Sequence, residues 1–246
     1  RLVVAGNFTN AGGVSASRIA VWDGSVWSSI GSGVLFNNTI NALAVFDEDG
    51  AGPSPPRLFA AGAFTSITQG GTPMAINRIA KWNGSAWVDV GPSGQGINGF
   101  VPVLYVSRVD GTPALYAGGN FSTAGGIACS SIARWNGSAW SPLGTGTNLG
   151  TYALVDYDDG TGNALYAGGI FTLAGGVASA RIAKWNGSAW NALGAGLNGN
   201  CWALTTFDDG SGLKLYAGGA FTVAGGGNAS RIARWNGTLW SNLPGG

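Results

Sequence analysis

A tryptophan hairpin motif recurs five times along the chain, and this recurrence constrains the fold more than any other feature. The copies read WDGSVW at Trp22, WNGSAW at Trp82, Trp135 and Trp185, and WNGTLW at Trp235. Successive first tryptophans lie 60, 53, 50 and 50 residues apart. A period near 50 residues is typical of repeat architectures, in which each unit buries its apolar face against its neighbours.

The repeat period sets the expected domain organisation. We expect one domain over residues 1–246. The predicted repeats are approximately 1–36, 37–97, 98–147, 148–197 and 198–246.

The fourth repeat contains four short segments with strand character, separated by glycine-rich or Asn/Asp turns. We name them a (Ala153–Tyr157), b (Leu165–Phe171), c (Arg181–Trp185) and d (Ala189–Leu193). None has a helical apolar period or a helix cap signal. Four strands per repeat over five repeats predict an all-β fold, a five-bladed β-propeller of four-stranded blades. The longest link follows strand d, so we expect a to be the inner strand and d the outer strand.

The turn between strands c and d predicts how the tryptophans are placed. A two-residue type I′ turn at Asn186-Gly187 would pair Trp185 with Ser188 and Ala183 with Trp190. Because strand side chains alternate, both rings would then lie on one face as diagonal neighbours. We expect this pair of rings to pack against the next blade and to act as the joint between blades.

Strand a occurs one time fewer than the other strands. It is found around Leu43, Leu104, Leu154 and Leu204, whereas b, c and d each occur five times. The inner strand of blade 1 is therefore predicted to be missing from the chain, which would leave backbone groups unpaired. Two explanations stay open: the chain is an excerpt of a longer protein, or another segment or subunit supplies the strand.

The repeat motifs resemble a known family. A double glycine ends strand b at Gly118-Gly119, Gly168-Gly169 and Gly218-Gly219, an aromatic residue ends c and a tryptophan opens d. This pattern resembles the kelch repeat, although tryptophan replaces the usual tyrosine and the first two repeats break the double glycine. The phrase GGIFTLAGG…RIAKWNGSAWNALGAGLNG is more similar to repeats of the fungal cortical polarity-marker proteins and of bacterial secreted propellers. The resemblance covers essentially the whole chain and implies an extracellular, surface-associated interaction module.

Composition excludes several classes of function. The chain has no histidine, which excludes Ser-His-Asp and Cys-His catalysis. Its net charge of +1 favours neither nucleic acid nor an anionic membrane as a partner, and no apolar run is long enough for membrane insertion. Cys129 and Cys201 are too few for a zinc site, and we expect them to be free thiols. We expect no enzyme activity, no cofactor and no metal.

Basic residues occupy two repeated positions. One group precedes the first tryptophan of a hairpin and should form ion pairs with the acidic a–b turns. The other group begins strand c and consists of Arg18, Arg78, Arg181 and Arg231. These four arginines are candidate ligand-binding residues for an anion or carboxylate, and the alternative is a stabilising contact to loop carbonyls.

Two further residues are candidate ligand-binding positions. Asp156 lies inside a strand a, where it could line the channel, but a single carboxylate forms no acid/base pair. Trp202 is the tryptophan outside the hairpins and should lie near the channel mouth, where an aromatic ring could bind a sugar or simply pack.

These observations favour a non-catalytic scaffold or interaction module that is extracellular, either secreted or at the cell surface, with a protein or a glycan as partner. The first alternative is a carbohydrate-binding, lectin-like propeller. The second is a self-assembling structural or filament subunit that associates through the open first blade.

Overall fold

All regular structure in the computed structural model is β-strand, and residues 1–31 and 33–243 are described. Within those ranges there is no helix with the length and apolar character needed to cross a membrane.

Repeats 2 to 5 each fold into an antiparallel sheet with the strand order a-b-c-d, and repeat 1 has the order b-c-d. Strands a are Ile40–Phe46, Phe100–Ser107, Thr151–Asp158 and Cys201–Asp208. Strands b are Leu2–Ala5, Arg57–Gly62, Ala114–Asn120, Asn163–Gly169 and Leu213–Gly219. Strands c are Ile19–Trp22, Ile79–Trp82, Ile132–Trp135, Ile182–Trp185 and Ile232–Trp235. Strands d are Trp27–Ser29, Trp87–Asp89, Trp140–Pro142, Trp190–Ala192 and Trp240–Ser241.

Strands a and d are the two edges of each four-stranded sheet, and strands a of neighbouring sheets contact one another, which confirms that a is the inner strand and d the outer strand. The sheet of blade 1 contains only b, c and d, as the strand count predicts.

Each b–c loop contains a small two-stranded hairpin, which was not predicted from the sequence. Its strands are Asn10–Ala11 with Val14–Ser15, Ser66–Gln69 with Thr72–Ala75, Thr123–Ala124 with Ile127–Ala128, Leu173–Ala174 with Val177–Ala178, and Val223–Ala224 with Gly227–Asn228. In blade 2 the strand Leu35–Phe36 adds to the hairpin. The AGG turns of these hairpins pack on the second tryptophan of their own blade: a Cβ on Gly125, whose φ is +57°, would lie 2.6 Å from Trp140 Cδ1.

The predicted register of the tryptophan hairpin is wrong, because the turn has four residues and not two. Trp185 pairs directly with Trp190 and Ala183 with Ala192, so the rings are opposite each other, not diagonal. The loop has four residues, and Asn186 Oδ1 accepts hydrogen bonds from the N–H groups of Ser188 (3.0 Å) and Ala189 (2.8 Å). The Asn side chain therefore builds an Asx turn, and only the glycine takes a positive φ. The five ring pairs have centroids 5.3–5.7 Å apart and tilt by 45–57°.

The tryptophan pairs of blades 2 to 5 join neighbouring blades, as predicted, but they pack on the preceding blade and not on the next one. The indole N–H of Trp140 donates to Val90 O in the preceding strand d region at 3.0 Å. Trp190 repeats this contact with Leu143 O at 2.8 Å, and Trp240 with Leu193 O at 3.1 Å. The buried clusters accordingly lie between sheets; one combines Tyr116 and Ile132 of blade 3 with Trp185 and Trp190 of blade 4.

The last blade carries an uncovered apolar face. Phe207 is 58% exposed, whereas its equivalents Phe46 and Tyr157 are 2% and 4% exposed. Ile232 is exposed where Ile132 and the other equivalent isoleucines are buried. Leu2 on the opposite face of blade 1 is also exposed, unlike the leucines at its position in blades 3 to 5. In the described part of the chain, no sheet therefore covers the forward face of blade 5.

Candidate functional site

We call the end of the blades that carries the b–c hairpins the loop face, and the end that carries the a–b and c–d turns the turn face. Asn98 shows how the loop face is held together. Its amide donates to Ser122 Oγ (2.9 Å), and its Oδ1 accepts the N–H groups of Ser122 and Thr123. The same clamp recurs at Asn37, Asn148 and Asn198. Each clamp ties a d–a link to the b–c hairpin of the following blade, so the loop face is a fixed surface.

The four candidate arginines bind their own loops. Arg181 Nη1 donates to Ile170 O (3.1 Å) and Phe171 O (3.2 Å), and Arg231 Nη1 donates to Ala220 O (3.0 Å). Arg78 contacts Ala63 O in the same way, and Arg18 contacts the Asn7 side chain. These contacts are the stabilising alternative that the sequence left open, while anion binding by the arginines stays a prediction.

The backbone at this position is unusual. All four arginines, and Ser131 in blade 3, have φ between 61° and 69°. A positive φ is uncommon for residues other than glycine and Asn. At Arg181 the backbone is held by two hydrogen bonds of 2.9 Å, from its N–H to Phe171 O and from Gly169 N–H to its carbonyl. This conformation is not predictable from the local sequence, because arginine has no local preference for a positive φ.

The turn face is bordered by ion pairs, which confirms the prediction for the basic residues that precede the first tryptophan of a hairpin. The pairs are Lys81–Glu48, Arg134–Asp110, Lys184–Asp159 and Arg234–Asp209, with N···O distances of 2.5–2.7 Å. Three of these acids also accept a tyrosine O–H, for example from Tyr166 to Asp159 at 2.8 Å. These charged groups therefore neutralise one another within blades 2 to 5.

Asp156 lies at the junction of blades 3 and 4, toward the turn face. Its Oδ1 accepts the hydroxyl of Ser107 at 2.7 Å, and its own N–H donates to Tyr105 Oη at 3.1 Å. Burial raises the pKa of Asp156, although the hydrogen bond from Ser107 acts in the opposite direction. The structure does not bring Asp156 together with the arginines or with Trp202, which lie at the loop face.

Trp202 lies at the inner rim of the loop face, where strand a begins. Trp202 is the unpaired extra residue of a β-bulge between Cys201 and Ala203. Asn41, Pro102 and Tyr152 hold the same position in the other blades. Trp202 is 47% exposed, and its ring meets Tyr152 edge-on with centroids 5.2 Å apart. Because a bulge frees the side chain from the packed faces of the sheet, it can present an aromatic ring to solvent.

A row of exposed apolar side chains on the loop face was not predicted from the sequence. Its members are Val14, Met74, Ile127 and Val177, which we call the hairpin row. They are 38–48% exposed. They hold the same register position, because Ala124 pairs with Ile127 as Ile67 pairs with Met74. An apolar residue directly follows the AGG turn at Val14, Ile127 and Val177, and this pattern could have predicted three members of the row. Met74 lies further from its turn because the hairpin of blade 2 is longer, so the pattern does not include it.

Neither cysteine contributes a reactive group. Cys129 and Cys201 are buried and free, as predicted, and burial raises the pKa of the Cys201 thiol to about 12. Across residues 1–31 and 33–243, no three acidic or cysteine side chains gather as a metal site would require.

Comparison with known proteins agrees with this architecture. A family model described as a beta-propeller domain of unknown function, DUF5122, matches residues 1–20 and 214–237. Each matched segment runs from strand b through the b–c loop into strand c, in the first and in the last blade. The chain is a β-propeller. Neither a curated protein nor a solved structure matches the chain. The similarity to kelch repeats and to the polarity-marker proteins stays a prediction.

Proposed function

We propose that this β-propeller is a non-catalytic interaction module that works outside the cell and binds its partner through the loop face. The hairpin row carries the proposal. Single exposed apolar residues are ordinary on protein surfaces. One such residue at the same register position in four successive blades is a repeated contact surface on a rigid frame.

The placement of the charged groups supports binding over chemistry. Four ion pairs neutralise charged groups of the turn face, and Arg78, Arg181 and Arg231 of the loop face bind loop carbonyls. A catalytic group needs a free polar atom directed at a substrate. The low charge of the chain, with 9% charged residues, supports an extracellular location.

The proposal is tested with a variant that changes all four members of the hairpin row to serine. Biotinylated protein is offered to the surface of intact cells, and the captured proteins are identified by mass spectrometry. A matched control changes four exposed apolar residues outside the loop-face hairpins to serine: Val26, Val45, Leu213 and Leu239. We expect a partner that the unchanged protein and the control retain and the row variant loses. Equal capture by the row variant would contradict the proposal.

Carbohydrate binding is a second candidate, favoured by the exposed Trp202 ring on its Tyr152 support. Aromatic faces offer a large, rigid apolar surface beside polar groups, which suits the C–H faces of sugars. A glycan array probed with the full chain tests this candidate. Trp202→Ala should remove the signal, whereas Phe207→Ala, an exposed aromatic on the face of blade 5, should leave it unchanged. An array without bound glycans would reject the candidate.

A further inference from the structure

The b–c hairpin of blade 2 meets its own blade differently from the hairpins of the other blades. Its strands, Ser66–Gln69 and Thr72–Ala75, have four residues each, against two in the other hairpins. In the other blades a Cβ on the first glycine of the turn would lie 2.2–2.9 Å from the second tryptophan, but Gly70 makes no such contact. Instead, the Gln69 amide exchanges two hydrogen bonds with the Trp87 backbone, of 2.8 and 2.7 Å. The turn of this hairpin therefore stands clear of the Trp87 ring.

The link from strand d of blade 2 to the next strand a is also longer. The clamp residue Asn98 follows Val90 by eight residues. In the next blade, the clamp residue Asn148 follows Leu143 by five. Val90 and Leu143 are equivalent, because each carbonyl accepts the indole N–H of the following blade's second tryptophan. The longer hairpin and the longer link together border a pocket of about 430 Å³ at the loop face.

We call this cavity the Asp89 pocket. Its walls include Met74 and Ile76 from the end of the hairpin, Val88 and Asp89 from strand d, and Gly94 from the link. Three of these side chains are apolar, and Asp89 supplies the charged group. In blades 1, 3 and 4 the position of Asp89 is held by Ser29, Pro142 and Ala192. The carboxylate therefore distinguishes blade 2 from these three blades.

The Asp89 carboxylate uses one oxygen within the fold and leaves the other without a partner. Oδ2 accepts the N–H of Gly94 at 3.0 Å, which holds the link in place. Oδ1 is buried, and within the described residues it accepts no hydrogen bond and has no cationic partner. A buried charged acceptor without a donor is costly. The pocket therefore favours a ligand that brings a donor to Oδ1.

An ammonium group on an alkyl stem fits this arrangement better than a guanidinium group. An alkyl stem packs well along apolar walls while its charged end reaches a polar group. An ammonium is a compact charge that a single acceptor can bind, whereas a guanidinium binds best to two acceptors side by side. Because Gly94 already occupies Oδ2, Oδ1 is the acceptor that remains. The pocket therefore favours lysine over arginine.

We propose that the Asp89 pocket binds a lysine side chain of the partner protein, with its stem against Met74 and Val88 and its ammonium at Asp89 Oδ1. The inference rests on the proposed function, because Met74 belongs both to the hairpin row and to the pocket wall. The row offers the same apolar contact in four blades, so by itself it leaves the position of a partner ambiguous. Charged contacts fix the register of an interface, and Asp89 supplies one in blade 2.

Met74 is the one methionine of the chain, so protein labelled with ¹³C at the methionine methyl gives a single NMR signal from the pocket wall. The probe is Nα-acetyl-lysine amide, and the neutral comparison is the same compound acetylated at Nε. We expect a saturable shift with a dissociation constant on the order of 1–10 mM, because the ligand is small. The neutral compound should give no saturable shift. A neutral compound that binds equally well, or a folded chain that does not bind the probe, would overturn the proposal.

Nα-acetyl-arginine amide tests the selectivity for lysine. It should bind more weakly than the lysine compound, because its second N–H donor finds no acceptor beside Oδ1. Tighter binding of the arginine compound would overturn the assignment to lysine.

Two protein variants locate the site. Asp89→Asn keeps an acceptor for the Gly94 N–H but removes the charge, and should weaken binding at least about tenfold. Its matched control is Asp158→Asn at the turn face, where the carboxylate also accepts backbone N–H groups, and this control should leave the affinity unchanged. Val88→Phe keeps Asp89 but fills the pocket, and should abolish the saturable shift. Unchanged affinity in Asp89→Asn or in Val88→Phe would overturn the proposal.

The titration uses no partner, so its failure can be distinguished from a failure of the proposed function. In the capture experiment on intact cells, Asp89→Asn leaves the hairpin row unchanged and should reduce capture of the same partner. Equal capture by Asp89→Asn, with capture lost in the row variant, would contradict the lysine contact and leave the proposed function standing. Equal capture by both variants would contradict the proposed function, and with it the lysine of the partner, whatever the titration gives.

Discussion

Replacing Trp140 by alanine should destabilise the protein far more than the same change at Trp27. Trp140 is buried between blades 2 and 3, and its indole N–H donates to Val90 O. Trp27 holds the equivalent place in blade 1, which has no preceding blade in the chain, and its ring is only partly buried. The two substitutions therefore compare the loss of a tryptophan that contacts the preceding blade with the loss of one that does not.

The expected difference follows from burial and hydrogen bonding. A buried tryptophan removes roughly 200 Å² from water, which at about 25 cal/mol per Å² stabilises by about 5 kcal/mol. Leaving Val90 O without its donor costs about 1 kcal/mol more. We expect Trp140→Ala to lower the free energy of unfolding by about 4–6 kcal/mol. Trp27→Ala should lower it by about 1–2 kcal/mol, because part of that ring is already in water.

Guanidinium unfolding followed by circular dichroism measures both values, provided that the slope with denaturant is the same for each variant. Trp190→Ala provides a replicate, since its indole N–H donates to Leu143 O. It should match Trp140→Ala within about 1 kcal/mol. Equal losses for Trp27 and Trp140 would refute the reasoning that these rings stabilise through the preceding blade.

Three further predictions concern local groups. Asn186→Ala should cost about 1–2 kcal/mol in guanidinium unfolding because two turn N–H groups lose their acceptor. Asn186→Asp should be nearly neutral, since Asp23 builds the same turn in blade 1. Burial raises the pKa of Asp159, but hydrogen bonds and the charge of Lys184 outweigh it and lower the pKa to about 2. This lowered pKa stabilises the fold above the unfolded pKa of about 3.9, so the melting temperature should fall between about pH 4 and pH 2, and Asp159→Asn should reduce that fall. Cys201 should react with iodoacetamide only after unfolding, as mass spectrometry can show, because its thiol is buried.

The sequence was sufficient to predict the architecture because the same strand and turn signals recur in several repeats. The strand order a-b-c-d, the three-stranded first blade and the ion pairs of the turn face all follow from positions that recur with the 50-residue period. Each blade buries its faces against its neighbours, so the same pattern of small, apolar and turn residues must return in every repeat.

The features that were predicted wrongly or not predicted depend on contacts that override the local conformational preference of the backbone. Asn-Gly favours a two-residue turn, but the Asn186 side chain binds two N–H groups of a four-residue loop and so moves the register. Arg181 adopts a positive φ because tertiary hydrogen bonds hold its backbone, which no local propensity encodes. The direction of the tryptophan joint depends on how adjacent sheets are arranged, and a pattern within one repeat does not contain that information.

The hairpin row shows a different limit. Val14, Ile127 and Val177 follow the AGG turns, yet an apolar residue after a turn is equally compatible with burial. Only the packing of each hairpin on its own Trp ring, as at Gly125 and Trp140, leaves the next side chain exposed.

The central claim is that the tryptophan hairpin is the joint between blades, and hydrogen exchange of the indole N–H groups tests it most directly. In the NMR spectrum of the ¹⁵N-labelled protein, the indole protons of Trp140, Trp190 and Trp240 should exchange slowly, because each donates to the preceding blade. The indole proton of Trp27, which has no hydrogen bond in the described part of the chain, should exchange fast. Similar exchange rates for all four indoles would contradict the account.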